Sequence, residues 1–508
     1  MRGETQAMND KLQALKTKLA EICRIQNAAA LLGWDQMALM PPGGAAARGQ
    51  QLAVLEQLSH EKSVSPELGA LLDGLQNEGG RWPADSDEAR LIAVATRDYA
   101  QAVKIPPRFS AEFAEHTAKT YEAWAKARAE RNFQLVEPFL QKSLELSRQM
   151  ANFFPGYRHI ADPLIDRLDE GRTVATVRPL FAALRQELTP LVRAVTSRPA
   201  ADDSVLRQHF PEPRQLQFGR EVAERLGYDF TRGRLDQSPH PFTTNFSVND
   251  VRITTRVNPN YLGDCLFSVI HEAGHALYEQ GINPDYEATP LAGGTSMSVH
   301  ESQSRLWENL VGRSLSFWSY FYPRLQAVFP EQLRNVPLDQ FYRAVNKVQP
   351  SLIRTDADEL TYNLHVMIRF DLETALLEGS LAVRELPEAW NERYRSDLGV
   401  VPPNDALGVL QDMHWFSGTV GGYFQSYTLG NILSAQIFNA ALQALPQIPA
   451  AIERGEFGAL RGWLREQLYQ YGRKFPAAEL ILRITGKPLQ IDDYTHYLKL
   501  KYRPLYGL

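Results

Sequence analysis

His271 and His275, four residues apart in His271-Glu272-Ala273-Gly274-His275, are the side chains best spaced to hold one metal ion. Residues i and i+4 share a face of an α-helix, so a single turn brings both imidazoles to the ion. Glu272 then lies beside it, where a carboxylate can take a proton from an activated water. That is the arrangement of a zinc peptidase. A catalytic zinc usually has three protein ligands and one open position. No further histidine follows within the next dozen residues, which argues against a three-histidine set. The third ligand is expected at Glu301, 26 residues after His275, in His300-Glu301-Ser302-Gln303. Glu308, two turns further along the same face, is expected to accept the second N–H of a ligand histidine.

These groups need rigid elements behind them. Leu266, Ile270, Ala273 and Leu277 recur at helical spacing around the motif. Asp264 is the expected N-cap and Gly281 the expected stop. Small residues at Ala273 and Gly274 are expected to leave open space around the ion. A loop through Asn283-Pro284 and Gly293-Gly294 then leads to a second helix carrying Glu301. Before the motif, the segments 240–247 and 251–257 are rich in β-branched residues and flank Asn249-Asp250, the pattern of a β-hairpin. Its edge either pairs with an extended peptide or simply covers the core.

The remainder is helical in pattern. Leu12, Leu15, Leu19 and Ile22 form one stripe; Leu360, Leu364, Ile368, Leu372 and Leu376 form another at i+4 spacing. Breaks fall at Pro41-Pro42-Gly43-Gly44, from Arg198-Pro199 to Pro213, and at Val401-Pro402-Pro403. With 508 residues, 44% hydrophobic and 22% charged, the chain reads as one globular catalytic unit over 1–508 with a deep cleft. A helical N-terminal part covers about 1–230, and the motifs fall within 240–430. A net charge of −5 and a pI near 6.2 give no footprint for nucleic acid or an anionic membrane. Two cysteines, Cys23 and Cys265, suit a reducing compartment without a disulfide framework. With no signal-type apolar stretch and no run long enough to span a bilayer, the expected location is cytoplasmic.

Five blocks in order resemble the signatures of the carboxypeptidase Taq family of metallocarboxypeptidases. They are Asp250-Val-Arg252-Ile-Thr254, the histidine motif, His300-Glu301-Ser302-Gln303, Ile353-Arg354-Thr-Asp-Ala357-Asp358, and Gly408-Val-Leu-Gln411-Asp412-Met-His414-Trp415. The early segment 32–43, with Trp34 and Asp35, is also similar, so the resemblance covers nearly the whole chain. It implies a mainly α-helical, two-lobed zinc-peptidase fold with a deep substrate groove and a small β-hairpin or sheet beside the active site. The plan is that of angiotensin-converting-enzyme-like and oligopeptidase-like zinc enzymes. It also implies a homodimer with one Zn²⁺ per subunit, Co²⁺ or Mn²⁺ being alternatives. The implied reaction removes single residues from the free C-terminus of peptides, with broad tolerance and a poor response to C-terminal proline.

Within that resemblance, charge developing on the scissile carbonyl oxygen calls for preplaced donors. The candidates are His414 and the tyrosines of Gly421-Gly422-Tyr423-Phe-Gln-Ser-Tyr427, one helical turn apart, with Tyr423 and His414 favoured. A carboxypeptidase also needs a fixed cation for the terminal carboxylate, a task suited to the planar fork of arginine. Arg354 is the choice, read as opening a helix with Thr355 and Asp358 in a capping-box-like start. Its alternative role is a salt bridge to the acids that follow it. Arg252 is a second candidate, better suited to bracing the hairpin, and Gln411 a further substrate contact. Two other functions share these residues: a zinc oligopeptidase or dipeptidyl carboxypeptidase, and a peptide-binding protein without catalysis. An intact Glu272 argues against the second, and no acidic amine-binding signature near 230–270 supports an aminopeptidase.

Overall fold

Proline and glycine punctuation separates the helices much as its placement predicts. The computed structural model describes residues 2–77 and 82–508. The helix Arg2–Ala38 ends before Pro41-Pro42-Gly43-Gly44, and Ala45–Ser63 packs back against it. Leu12, Leu15, Leu19 and Ile22 are all buried, against Leu68, Leu72 and Leu91 from the helices that follow. Further helices span Asp87–Ala102, Pro107–Glu130, Glu137–Asn152 and Val174–Thr196, and the proline-rich break then precedes Glu212–Leu226. The fold is mainly α-helical. No helix among the described residues is long and apolar enough to cross a membrane.

Two large cores meet along one helix, Gln425–Ala444. Its Leu433, Ile437 and Ala441 join the core that holds the histidine helix, Leu262–Gly281. Its Leu429, Ile432 and Ala435 join the second core, built around Tyr362–Glu378. The expected stripe from Leu360 to Leu376 is buried, but the helix Tyr362–Glu378 is buried on nearly every face rather than on one. Its other faces carry buried polar side chains, with Asn363 hydrogen-bonded to Tyr494, His365 to Tyr394 and Arg369 to Glu373. The helix Met297–Arg305, which carries Glu301, packs between the histidine helix and Gln425–Ala444.

The hairpin forms, as β2 (Thr243–Ser247) and β3 (Asp250–Thr255), antiparallel, with Thr243 opposite Ile253 and Asn245 opposite Val251. A third strand that the pattern did not predict, β1 (Leu235–Gln237), runs parallel to β3, giving the order β1-β3-β2. Leu235-Asp236-Gln237 is too short to show an alternation, and only pairing to β3 makes it a strand. β2 is therefore an edge strand.

Two local expectations need correction, and a third, the helix stop at Gly281, holds for a different reason. Asp264 is not the N-cap: Tyr261 takes that place, and Asp264 lies in the first turn, 3.6 Å from Arg256. An acid there still favours the positive end of the helix. Gly281 is the last helical residue, and its missing Cβ matters more than its flexibility, because that atom would come within 2.7 Å of the Tyr469 side chain. Arg354 opens only a short 3-10 turn, Arg354–Asp356, and the helix starts at Tyr362. Asp358 shapes the turn before it, accepting the backbone N–H groups of Leu360 and Thr361 at 2.9 and 3.0 Å, while the N-cap Thr361 makes no side-chain capping bond.

Candidate metal centre and active site

The histidine helix turns His271 and His275 toward Glu301. Oε2 of Glu301 lies 3.6 Å from Nε2 of His271 and 3.4 Å from Nε2 of His275. One ligand atom from each of the three residues falls within 4.8 Å of the others. An ion with bonds of about 2.0–2.1 Å in a tetrahedron separates its ligands by roughly 3.3 Å, so these three donors are spaced to share one. Two imidazoles and a carboxylate fit zinc, and also accept other divalent ions of the first transition row.

Close helix contacts make this possible. A Cβ on Gly430 would lie 2.6 Å from Cγ of Glu301. One on Gly274 would lie 2.7 Å from the Gln303 carbonyl oxygen and from Cα of Ser304. Gly274 therefore does not open space around the ion, as its position in the motif suggests. It lets the Glu301 helix press onto the histidine helix.

Charges behind the ligands are paired. Nδ1 of His271 is 2.9 Å from Oε2 of Glu308, the carboxylate expected there from spacing. Glu308 lies on a π-helical turn, Leu306–Val311, that continues the ligand helix. Such turns gather at functional sites. Arg305 donates to Oε1 of Glu301 at 2.7 Å and to Oε2 of Glu308 at 3.2 Å. Burial works to raise the Glu301 carboxyl, but Arg305 and the imidazoles outweigh it and hold it well below the usual range. Against the same burial, His271 and Arg305 hold Glu308 down to about 2. Burial pushes His275 down to about 3, the direction that favours the neutral imidazole metal binding requires. Arg305 was not singled out in the sequence, although it sits four residues after Glu301 and three before Glu308, both salt-bridge spacings.

Glu272 is buried next to the pair and held from β2: the Thr243 hydroxyl donates to its Oε2 at 2.6 Å and to its backbone carbonyl at 3.0 Å. Burial raises its carboxyl above the ordinary value, opposed by His271 and by the Thr243 hydrogen bond. Thr243 was predicted only as a strand residue; no local pattern shows which helix group a strand side chain will meet.

The remaining site residues form a wall from the second core. Arg354 is buried, and its Nε donates to Oδ2 of Asp412 at 2.8 Å, not to the acids that follow it in sequence. Its Nη1 reaches the Tyr362 hydroxyl at 3.2 Å, while Nη2 has no acceptor among the described residues. The guanidinium also lies 5.4 Å from the ring centre of Tyr427. The other oxygen of Asp412 is hydrogen-bonded to Nδ1 of His414. His414 stacks on Tyr423 with ring centres 5.5 Å apart, and Tyr423 meets Tyr427 at 5.5 Å. Tyr423 precedes the helix that begins at Gln425, so the two tyrosines share a face without sharing a regular helical turn. Gly421 and Gly422, with φ of 86° and 91°, make the bend. A Cβ on Gly422 would also lie 2.6 Å from the Leu164 carbonyl oxygen.

Gln411 and Arg252 brace rather than project. Gln411 accepts the Arg354 backbone N–H at 2.8 Å and donates to the Leu352 carbonyl at 2.7 Å. Arg252 donates twice to Asp250, both at 2.8 Å, and lies 4.3 Å over the ring of Trp34. That contact links the hairpin to the early Leu32–Gly43 segment.

The chain is similar to known proteins over nearly its whole length. The model of a family described as carboxypeptidase Taq (M32) metallopeptidase matches residues 14–502. The chain is 38% identical to thermostable carboxypeptidase 1 of Thermus thermophilus, covering 96% of this chain and 97% of that one. It superimposes on the crystal structure of an M32 carboxypeptidase from Deinococcus radiodurans with a TM-score of 0.95 at 46% identity, covering 98% and 100%. Metallocarboxypeptidase 1 of Trypanosoma cruzi gives a TM-score of 0.92 at 31% identity, covering 97% and 99%.

Proposed function

The chain belongs to the carboxypeptidase Taq (M32) metallopeptidase family and is a metallocarboxypeptidase, and on that premise we propose that His271, His275 and Glu301 hold its metal ion. Zinc is favoured, with Co²⁺ or Mn²⁺ as alternatives, because the donor set is two imidazoles and one carboxylate. When bound there, such an ion would supply Lewis-acid polarisation of a carbonyl and acidification of water. Glu272 takes the proton from the attacking water and delivers it to the leaving amine nitrogen. Its burial beside the histidine pair and the Thr243 hydroxyl that holds its Oε2 support that role.

His414 and Tyr423 donate to the oxygen of the scissile carbonyl, with Tyr427 completing the face. Arg354 binds the terminal carboxylate through Nη2, the guanidinium nitrogen left without a protein acceptor. Gln411 and Arg252 act by bracing, one on the Arg354 turn and the other on the hairpin. The groove between the two cores admits peptides with a free C-terminus and broad side-chain tolerance. A homodimer in the cytoplasm completes the reading, supported by the family resemblance and the cysteine usage.

One observation carries the proposal: three ligand atoms within 4.8 Å of one another beside the buried carboxylate of Glu272. The test compares timed cleavage of one peptide as its free acid and as its C-terminal amide. Stepwise release of single residues from the acid alone is expected. Equal rates on both would replace the carboxypeptidase role of Arg354 with an oligopeptidase-like one.

A further inference from the structure

The two ligand histidines are supported differently, and only His271 has a carboxylate directly behind it. Nδ1 of His275 faces another imidazole instead, Nδ1 of His300, at 2.6 Å. The far nitrogen of that ring, Nε2, lies 2.7 Å from Oε1 of Glu279. The other oxygen of Glu279 accepts the Asn245 side-chain amide at 2.7 Å. Glu279 is itself buried, 5% exposed, two turns beyond Glu272 on the histidine helix. A Cβ on Gly294 would come within 2.5 Å of Cδ2 of His300, so glycine is what admits the ring. The Tyr278 ring closes the other side at 5.3 Å.

We propose that His300 and Glu279 are positioning residues for the metal, forming a relay that fixes the tautomer and orientation of His275. The inference rests on His275 being a metal ligand. With Nε2 turned toward the ion, the His275 proton sits on Nδ1 and is donated to Nδ1 of His300. His300 then carries its own proton on Nε2 and donates it to Glu279, whose second oxygen takes the Asn245 N–H. Every link has one donor and one acceptor, so a single proton order satisfies the whole chain. A ligand imidazole whose second nitrogen donates toward a carboxylate is a stronger and better-aimed donor. His271 obtains this directly from Glu308; His275 obtains it through a second ring.

The relay ends on β2, the strand that also holds Glu272 through Thr243. Thr243 and Asn245 are two apart and so point to the same face of the strand. One face of a single edge strand therefore positions both the general base and the far end of the ligand support.

The experiment measures the zinc dissociation constant of the full-length protein by chelator competition, together with the melting temperatures of apo and zinc-loaded forms. His300→Leu removes both ring nitrogens, and its dissociation constant should rise about 10- to 100-fold. His300→Gln keeps one acceptor and one donor and should recover part of that loss. The stabilisation gained on adding zinc should shrink in His300→Leu more than the apo melting temperature falls. A purely structural role predicts the reverse, with apo stability reduced and zinc affinity intact, and that result would overturn the proposal. Equal losses in the Leu and Gln variants would also overturn it, since shape rather than proton order would then matter. If His300→Leu does not fold, Glu279→Gln decides: weaker zinc binding with parental apo stability supports the relay, and parental affinity rejects it. Failure of the parent protein itself to bind zinc would instead remove the assignment of the three ligands.

Discussion

Gly274→Ala separates the two roles that a glycine inside a metal motif can have. The added Cβ would stand 2.7 Å from the Gln303 carbonyl oxygen and 2.7 Å from Cα of Ser304. Both are backbone atoms, so no rotamer change relieves the contact. The two helices must part by roughly 0.7 Å to reach ordinary separation. Overpacking of this kind costs about 1–3 kcal/mol. Unfolding entropy for 508 residues comes to about 1 kcal/mol per degree, so the melting temperature of the apoprotein should fall by about 1–3 °C. The larger effect falls on the metal. Glu301 lies two and three residues before the displaced atoms on the same helix, and ligand distances tolerate only about 0.2 Å. Zinc affinity should therefore weaken by about tenfold or more. Chelator competition reads the affinity, and calorimetry of the metal-free protein reads the melting temperature. A variant with the parent's zinc affinity and melting temperature would refute the claim that this helix contact sets the ligand geometry.

Glu272→Gln should keep its metal and lose about 10²–10⁴ in kcat, the range of a missing general base; parental turnover would remove Glu272 from that role. Thr243→Val keeps the shape but deletes the hydroxyl that donates to Glu272 at 2.6 Å. A hydrogen bond to a charged group contributes about 1.5–3 kcal/mol, so kcat should fall roughly 10- to 100-fold with metal content unchanged. Loss of metal instead of turnover would show that β2 acts on the ligands and not on the base. Arg354→Lys leaves a cation beside Asp412 while losing the planar fork, and KM for free-acid peptides should rise by about tenfold or more. An unchanged KM in steady-state assays would move the carboxylate anchor to another residue.

The sequence by itself determined what local helical geometry controls. The 3.6-residue period places His271 and His275 on one face, and that geometry survives into the fold. Glu301 and Glu308 could be named from spacing because each lies on a helical segment pressed against the histidine helix. The buried stripe of the first helix and the paired strands of the hairpin were legible for the same reason.

Tertiary structure alone decided which distant groups meet. Arg354 could have paired with any of the acids that follow it, yet the loop path delivers Asp412, 58 residues away. Glu272 is held from a strand 29 residues earlier, and His275 is backed by His300 rather than by a carboxylate. Gly274 is a glycine because the Gln303-Ser304 backbone approaches it, and Gly430 because the Glu301 side chain does, a constraint that no periodicity carries. Periodicity fixes which face a side chain occupies, whereas its partner depends on how separate elements pack, and packing is settled only when the whole core closes.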